Sequence, residues 1–450
     1  MSKYDKYKSS NIESIGIVPE HWNVVRLKKV IKEKITDGPH ETPDFIDDGI
    51  PFLSVDGIQD GELIFEGCRY ISPEAHREYQ KKCIVEKDDV LMGKAASTGK
   101  IARVKVDFEF NIWSPLALIK PNRKRITPTF LEYSLKSDFG QIQIDLLCTS
   151  NTQKNISMDD IPKLSICQPP TSEQLIIANY LDLQTQKIDR LIANKKAQAE
   201  KLKELRLIEI NNAVTKGLNP NAEMKDSSYE WLGQIPSHWE VRKIKQLLKP
   251  EKNAIKTGPF GSDLKFEDLV EEGIKVYNQR SVLDNDWESG EGYISEKKYE
   301  TLKTCTIFPD DMVITTRGTI GKVSIFPTNA ELGILHPCLM RIQMNSQRIL
   351  NDYLKIIIND SSFFFEALKL ASNATTIDVI YSESLKEVKI PVPPIQEQME
   401  ITSYLQKRIS STDKLISNIQ TQIEKLQELR KIKIYEAVTG KIRLNRDFKD

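Results

Sequence analysis

A chain of 450 residues exceeds what one hydrophobic core holds together and suits two to four domains. Lys plus Arg and Asp plus Glu both number 64, so the formal charge is zero. That weighs against stand-alone, non-specific binding of nucleic acid, which feeds on excess positive charge, while leaving local basic faces open.

The first residues, Met1-Ser-Lys-Tyr-Asp-Lys6, carry no apolar signal segment, and no run reaches membrane-spanning length. Cys68, Cys83, Cys148, Cys167, Cys305 and Cys338 never approach the CxxC spacing of zinc sites. A reduced cytoplasmic protein with no metal site and no membrane contact is the expectation.

The first readable element is an opening turn, Ile17-Val-Pro-Glu-His21-Trp22, in which His21 and Trp22 read as packing residues. Val24, Leu27 and Val30 then predict a short amphipathic helix. A Gly-Pro loop follows at Thr36 to His40, and a strand over Ile50 to Val55. Asp88 to Met92 and Gly99 to Val104 read as two strands joined by a basic polar loop. Next come a Pro-centred strand, Trp113 to Leu118, a helical stretch around Phe130 to Tyr133, and a Ser/Thr/Asn-rich loop, Thr149 to Asn155. An exit strand then runs into Pro169-Pro170.

From Thr171 to Thr215 apolar residues recur in steps of three and four, which predicts one long helix. Thr171 with Gln174 reads as a capping box. The whole series then repeats. Pro169-Pro170, Glu173-Gln174, Tyr180-Leu181 and Ala213-Val214-Thr215 return as Pro393-Pro394, Glu397-Gln398, Tyr404-Leu405 and Ala437-Val438-Thr439. The second helix is expected over Ile395 to Thr439, starting on Pro394 and the carboxylate of Glu397. Ahead of it lie a second Trp turn, Ile235 to Trp239, a second Gly-Pro loop, Lys256 to Phe260, and a second Asp-Asp block from Asp310.

The repeat offset, 169 to 393, is a multiple of seven, so both helices share one heptad phase. The seam is read through Leu181, Ile188, Leu191, Gln198, Leu202 and Leu205 of one and Leu405, Leu415, Ile419, Gln422, Leu426 and Leu429 of the other, with both Gln in a polar core place. Strands and helices mix without βαβ alternation, so each half is α+β. The expected division is a domain over 1–168, a helix over 169–216, a domain over 217–392, and a helix and tail over 393–450. For the chain to close on itself the helices must run antiparallel. The expected fold is two α+β domains related by a pseudo-two-fold and separated by a long antiparallel two-helix coiled coil.

No catalytic constellation survives a search. Gly93 to Ile101 imitates a phosphate loop but has one residue too many between its glycines and no hydroxyl after Lys100. Asp284 with Glu296 to Lys298 is not duplicated, there is no GxGxxG or HExxH, and neither Pro-Pro pair forms the Asn/Asp-Pro-Pro-aromatic motif of an adenine methyltransferase. What recurs is basic, hydroxyl-rich loops. The candidate DNA-binding residues are Thr36, His40, Lys94, Ser97, Thr98, Lys100, Thr149, Ser150, Gln153 and Lys154 in the first half, and Lys256, Thr257, Thr315, Thr316, Arg317, Thr319, Lys322, Thr375 and Thr376 in the second. Lysine supplies a point charge for phosphate and arginine addresses guanine bidentately. On composition alone these are equally solvated hairpin tips, and an adaptor whose heads bind protein stays open.

The Pro-x-His-Trp turns, the Asp-Asp blocks, the Pro-Pro-x-x-Glu-Gln helix starts and the Lys-Leu-x-Glu-Leu-Arg to Ala-Val-Thr helix ends, each present twice in fixed order, resemble the specificity subunit of type I restriction–modification systems. The resemblance implies two target-recognition domains that each read half of a bipartite double-stranded DNA site. It also implies a coiled coil that sets the spacer and docks two methyltransferase subunits, with restriction subunits that translocate DNA. No cofactor is expected in this chain; S-adenosylmethionine, ATP and magnesium are expected in the partner subunits. If the helices act as a ruler, inserting four residues in one copy, roughly 6 Å of helix, lengthens the tolerated spacer by about two base pairs. A methylation assay on a spacer series checks this, and an unchanged spacer refutes it.

Overall fold

The computed structural model describes residues 2–149, 154–372 and 376–445. It divides into two compact units, Met1–Lys196 with Gln420–Asp450, and Ala197–Ile419, so the division falls inside both long helices and not between heads and helices. Each unit holds one head, the start of one long helix and the end of the other.

In the first unit an antiparallel four-stranded sheet runs in the order Ile101–Arg103, Val90–Gly93, Leu116–Ile119, Thr36–Asp37. A three-stranded sheet, Asn111–Ile112, Ile50–Leu53, Arg69–Ile71, contains one parallel pair. The second unit repeats the first of these as Ile255–Thr257, Leu339–Ile342, Met312–Thr315, Val323–Ile325. It enlarges the other to five strands, again with one parallel pair, Ile274–Tyr277 beside Gly333–Leu335. The Asp-Asp blocks acquire a physical reason here. Asp88 and Asp310 take left-handed backbone, while the buried Asp89 and Asp311 accept the amides of Glu86 and Phe308, both at 2.8 Å, and so close the turn into the central strand. Burial lifts both carboxyls above the ordinary range.

The helix predicted after each Trp is not formed. Asn23–Arg26 is a strand paired with the exit strand Ser165–Gln168, followed by a single 3-10 turn, Leu27–Lys29, and Glu240–Lys243 pairs likewise with Lys389–Val392. A short apolar spacing fits either element; here the exit strand supplies the backbone partners, and extended Val24 and Val25 pair with Cys167 and Ile166.

The long helices span Thr171–Lys216 and Ile395–Val438. Gln174 does not close a capping box. Its Nε2 donates to the carbonyls of Pro169 and Arg125 at 2.9 and 3.0 Å, and its Oε1 accepts from Thr127 at 2.8 Å. Gln398 repeats this with Pro393, Arg348 and Leu350. The residue beside it, Glu173, accepts the indole N–H of the wholly buried Trp22 at 3.0 Å and the hydroxyl of Tyr4 at 2.8 Å, with His21 Nε2 at 2.7 Å. Glu397 holds Trp239 and His238 at 2.9 and 2.6 Å. The Pro-Pro-x-x-Glu-Gln motif therefore bolts each helix start to its own head.

The far ends lock in as well. Ile434, Ala437 and Val438 of the second helix complete the core around Trp22 and Phe130, and Ile210, Ala213 and Val214 of the first complete the core around Trp239 and Tyr353. The chain ends meet within the first unit, where the amide of Arg443 donates to the Ser2 carbonyl at 2.8 Å.

Within each unit the helix segments run antiparallel. In the first, Arg430 meets Asp189 at 3.1 Å and Lys433 donates to the Tyr180 hydroxyl. In the second, Arg206 meets Asp413 at 3.3 Å, and Arg408 and Tyr404 both reach Glu209. Asp189 and Asp413, like Arg206 and Arg430, occupy matching repeat positions. The seam does not follow the predicted line. Leu181, Ile188, Leu202, Leu405, Ile419 and Leu426 face inward, but Leu191, Gln198, Leu205, Leu415, Gln422 and Leu429 are exposed. The inward phase passes through Thr185, Ile192, Ala199 and Arg206 in the first helix, and Ile409, Ile416, Ile423 and Arg430 in the second. Ile192 sits next to Leu191, so apolar spacing fits two phases, and the long Arg206 and Arg430 carry the seam by reaching acids at its edge.

Replacing Glu173 by Ala strands the buried Trp22 N–H and is expected to lower stability by about 1–3 kcal/mol. Denaturant unfolding followed by tryptophan fluorescence checks this, and Glu397→Ala is expected to behave alike in its own unit.

Candidate nucleic-acid interface

In the first unit the strand ends gather four loops. The amide of Ser114 donates to Pro39 O at 3.1 Å, that of Lys94 to Pro115 O at 2.8 Å, and that of Ile156 to Lys94 O at 3.0 Å. The Thr98 hydroxyl donates to Lys154 O. The Gly-Pro loop lies so close to the chain at Ile112 that a Cβ on Gly38 would sit 1.7 Å from its carbonyl oxygen, which admits only glycine. These contacts bring Thr36, His40, Lys94, Ser97, Thr98, Lys100, Thr149 and Lys154 to one end of the sheet. Ser150 and Gln153 lie outside the described residues.

The charge there is partly compensated. The buried carboxylate of Asp37 receives Lys82 at 2.6 Å, Lys94 at 3.1 Å and His40 at 3.2 Å. Burial pushes this carboxyl upward, but hydrogen bonds from Lys82 and Lys94 outweigh it and hold it below the ordinary range. Asp37 thus holds two lysines at once. Lys154 is occupied by Asp145 at 2.8 Å.

The second unit repeats the scaffold with other side chains. The amide of Gly258 donates to Leu339 O and that of Thr316 to Cys338 O, both at 2.8 Å, and that of Ile380 to Thr316 O at 3.0 Å. Thr315 and Thr316 do not belong to the surface, contrary to expectation. Both are buried; the Thr315 hydroxyl accepts the Lys322 amide at 3.0 Å, and the Thr316 hydroxyl donates to Cys338 O at 2.9 Å. They shape the loop and cannot touch a ligand. Lys256 and Thr257 are half-buried on their strand, and Lys322 donates to Asn359 O at 3.3 Å. Arg317, Thr319 and Thr376 are exposed, and Thr375 lies outside the described residues. Among the described residues the Arg317 guanidinium makes no hydrogen bond or ion pair.

Three further groups were not legible. Gln279 Nε2 donates to the carbonyls of Arg317 and Thr319 at 3.0 and 2.9 Å, bracing the loop that carries Arg317; nothing in its sequence neighbourhood marks it. Lys82 donates to Gly38 O at 2.9 Å as well as to Asp37, with only the Lys81-Lys82 pair as a signal. Arg69 lies over the rings of Phe45 and Trp113 at 4.7 and 5.9 Å, beside a cavity of about 260 Å³. Among the described residues no cluster of His, Cys, Asp or Glu could hold a metal, and no helix is long and apolar enough to cross a membrane.

A family model described as the type I restriction modification DNA specificity domain matches residues 19–203 and again 236–425, starting each time at the Pro of a Pro-x-His-Trp turn. The chain belongs to this family. It is similar to the MjaVIII type I restriction enzyme specificity subunit of Methanocaldococcus jannaschii, 26% identical over 453 residues and covering 97% of each chain. It is also similar to the EcoKI specificity subunit of Escherichia coli, 20% identical over 442 residues and covering 95% of this chain and 91% of the other. The fold matches a chain solved in a study of assembly and conformational transition of the type I R-M system, with TM-score 0.71, 16% identity and coverage of 94% of this chain and 99% of that one. The HsdS subunit from Thermoanaerobacter tengcongensis matches with TM-score 0.52, 16% identity and 94% and 98% coverage. As a DNA specificity subunit the chain selects sequence within a type I restriction–modification complex and is not its catalyst; its partners are DNA and the modification and restriction subunits.

Gln279→Ala removes both braces of the Arg317 loop while leaving the strands paired. Amide hydrogen exchange over residues 316–321 is expected to accelerate roughly thirtyfold with unchanged circular dichroism, in line with two bonds of about 1 kcal/mol each.

Proposed function

We propose that each head reads one half of an asymmetric bipartite site in double-stranded DNA and that the paired helices set the spacer between the halves. The observation that carries this is a shared backbone scaffold with divergent side chains at matching places. Ala95 stands where the other head has Arg317, Ser97 where it has Thr319, and His40 where it has Phe260. One scaffold with two sets of side chains suits two different half-sites. The unpaired Arg317 on a braced loop fits bidentate recognition of guanine, because its backbone is ordered before binding.

The helices carry the docking role. In an antiparallel pair, residues just before the inward-facing Ile192, Arg206, Ile416 and Arg430 lie on one flank. The exposed Leu191 and Leu429 occupy it in the first unit, and Leu205 and Leu415 in the second. The opposite flank is polar and closed by the Arg430–Asp189 and Arg206–Asp413 pairs. Two equivalent apolar flanks suit two copies of one partner, the modification subunit, with restriction and translocase subunits joining that core. S-adenosylmethionine, ATP and magnesium belong to those partners in this reading.

Arg317→Ala is expected to relax choice at one base of one half-site, with discrimination falling by about 1–3 kcal/mol and the other half-site untouched. Sequencing methylated DNA from cells carrying the variant with its modification subunit checks this. Unaltered choice, or a uniform loss at all positions, counts against it.

A further inference from the structure

We infer that Phe260 is a second base-reading side chain of the C-terminal head, packing its ring on the methyl group of a thymine near the guanine addressed by Arg317. This rests on the proposed DNA-facing role of the Arg317 loop. Phe260 is 78% exposed, yet its backbone is held. Two residues earlier Gly258 is tied to Leu339 O at 2.8 Å, and a Cβ there would stand 2.1 Å from His336 O. On the other side the amides of Asp263 and Leu264 donate to Phe260 O at 2.8 and 3.3 Å, and Leu264 is buried. An aromatic ring is therefore presented to solvent from a fixed turn.

Its place relative to Arg317 follows from sheet register. Thr257 pairs with Met340, which pairs with Ile314, so Gly258–Phe260 and Thr316–Arg317 leave the same end of the sheet two strand spacings apart. That is about 10 Å, or about three base pairs of duplex. In the major groove the thymine methyl is the one apolar feature a phenyl ring can select. The matching position of the first head is His40, engaged by Asp37, so the feature belongs to one half-site only.

The test uses the complex of this chain with its modification subunits and the recognised sequence found by sequencing methylated DNA. Each thymine of the C-terminal half-site is replaced in turn by uracil, which removes only the methyl. Wild type is expected to lose about fourfold in affinity at one thymine, the scale of one buried methyl group. Phe260→Ala is expected to bind the thymine duplex about as weakly as wild type binds the uracil one and to ignore the replacement. Phe266→Ala, the neighbouring exposed ring, is expected to stay sensitive like wild type.

The inference is overturned by a half-site without thymine, by wild-type indifference to uracil at every position, by full uracil sensitivity in Phe260→Ala, or by loss of the modification subunit from that variant. A wild-type complex that fails to distinguish its site from scrambled DNA would instead overturn the proposed function.

Discussion

A buried indole N–H must have an acceptor, and this molecule supplies it from the first turn of a helix. Trp22 and Trp239 are completely buried, and their donors are answered by Glu173 and Glu397, the third residue of each long helix. The carboxylates also sit where the helix backbone offers positive potential, so one group satisfies the indole and favours the helix start. Gln174 and Gln398 then tie the same turn to the head through two hydrogen bonds apiece, with a third to the proline ahead of the helix. This joint fixes the angle at which each helix leaves its head.

The seam is correspondingly modest. Thr185, Lys195, Arg206, Glu209, Thr412, Arg430 and Lys433 fall on its inward positions, and several of them pair across it. A sparse apolar line with charged residues at matching repeat positions suits pairing of limited strength and defined register, where mispaired charges penalise the alternatives. The apolar residues left out of it, Leu191, Leu205, Leu415 and Leu429, become a surface.

At the loop ends of the heads, backbone contacts are duplicated while the exposed side chains differ. The amides of Ile156 and Ile380 find the same carbonyl position, and Gly38 and Gly258 each lie close against the chain just ahead of the Pro-centred strand. Hydrogen bonds of this kind depend on backbone geometry alone. The exposed positions between them are thus free to differ without unfolding either head, which is what a reader of two unrelated half-sites requires.

The duplication, the two long helices, their antiparallel pairing and the membership of the family were legible from residue spacing and repeated motifs, because heptad periodicity and Pro punctuation act locally. The strand after each Trp was not, since extended backbone at Val24 depends on an exit strand some 140 residues away. The phase of the seam was ambiguous wherever two apolar residues adjoin, and only the packed partner selects Ile192 over Leu191. At the interface, sequence marked the basic loops, but burial removed Thr315 and Thr316, and Asp37 claimed Lys94 and His40. Exposure and pairing are properties of distant neighbours brought close, so they belong to tertiary structure.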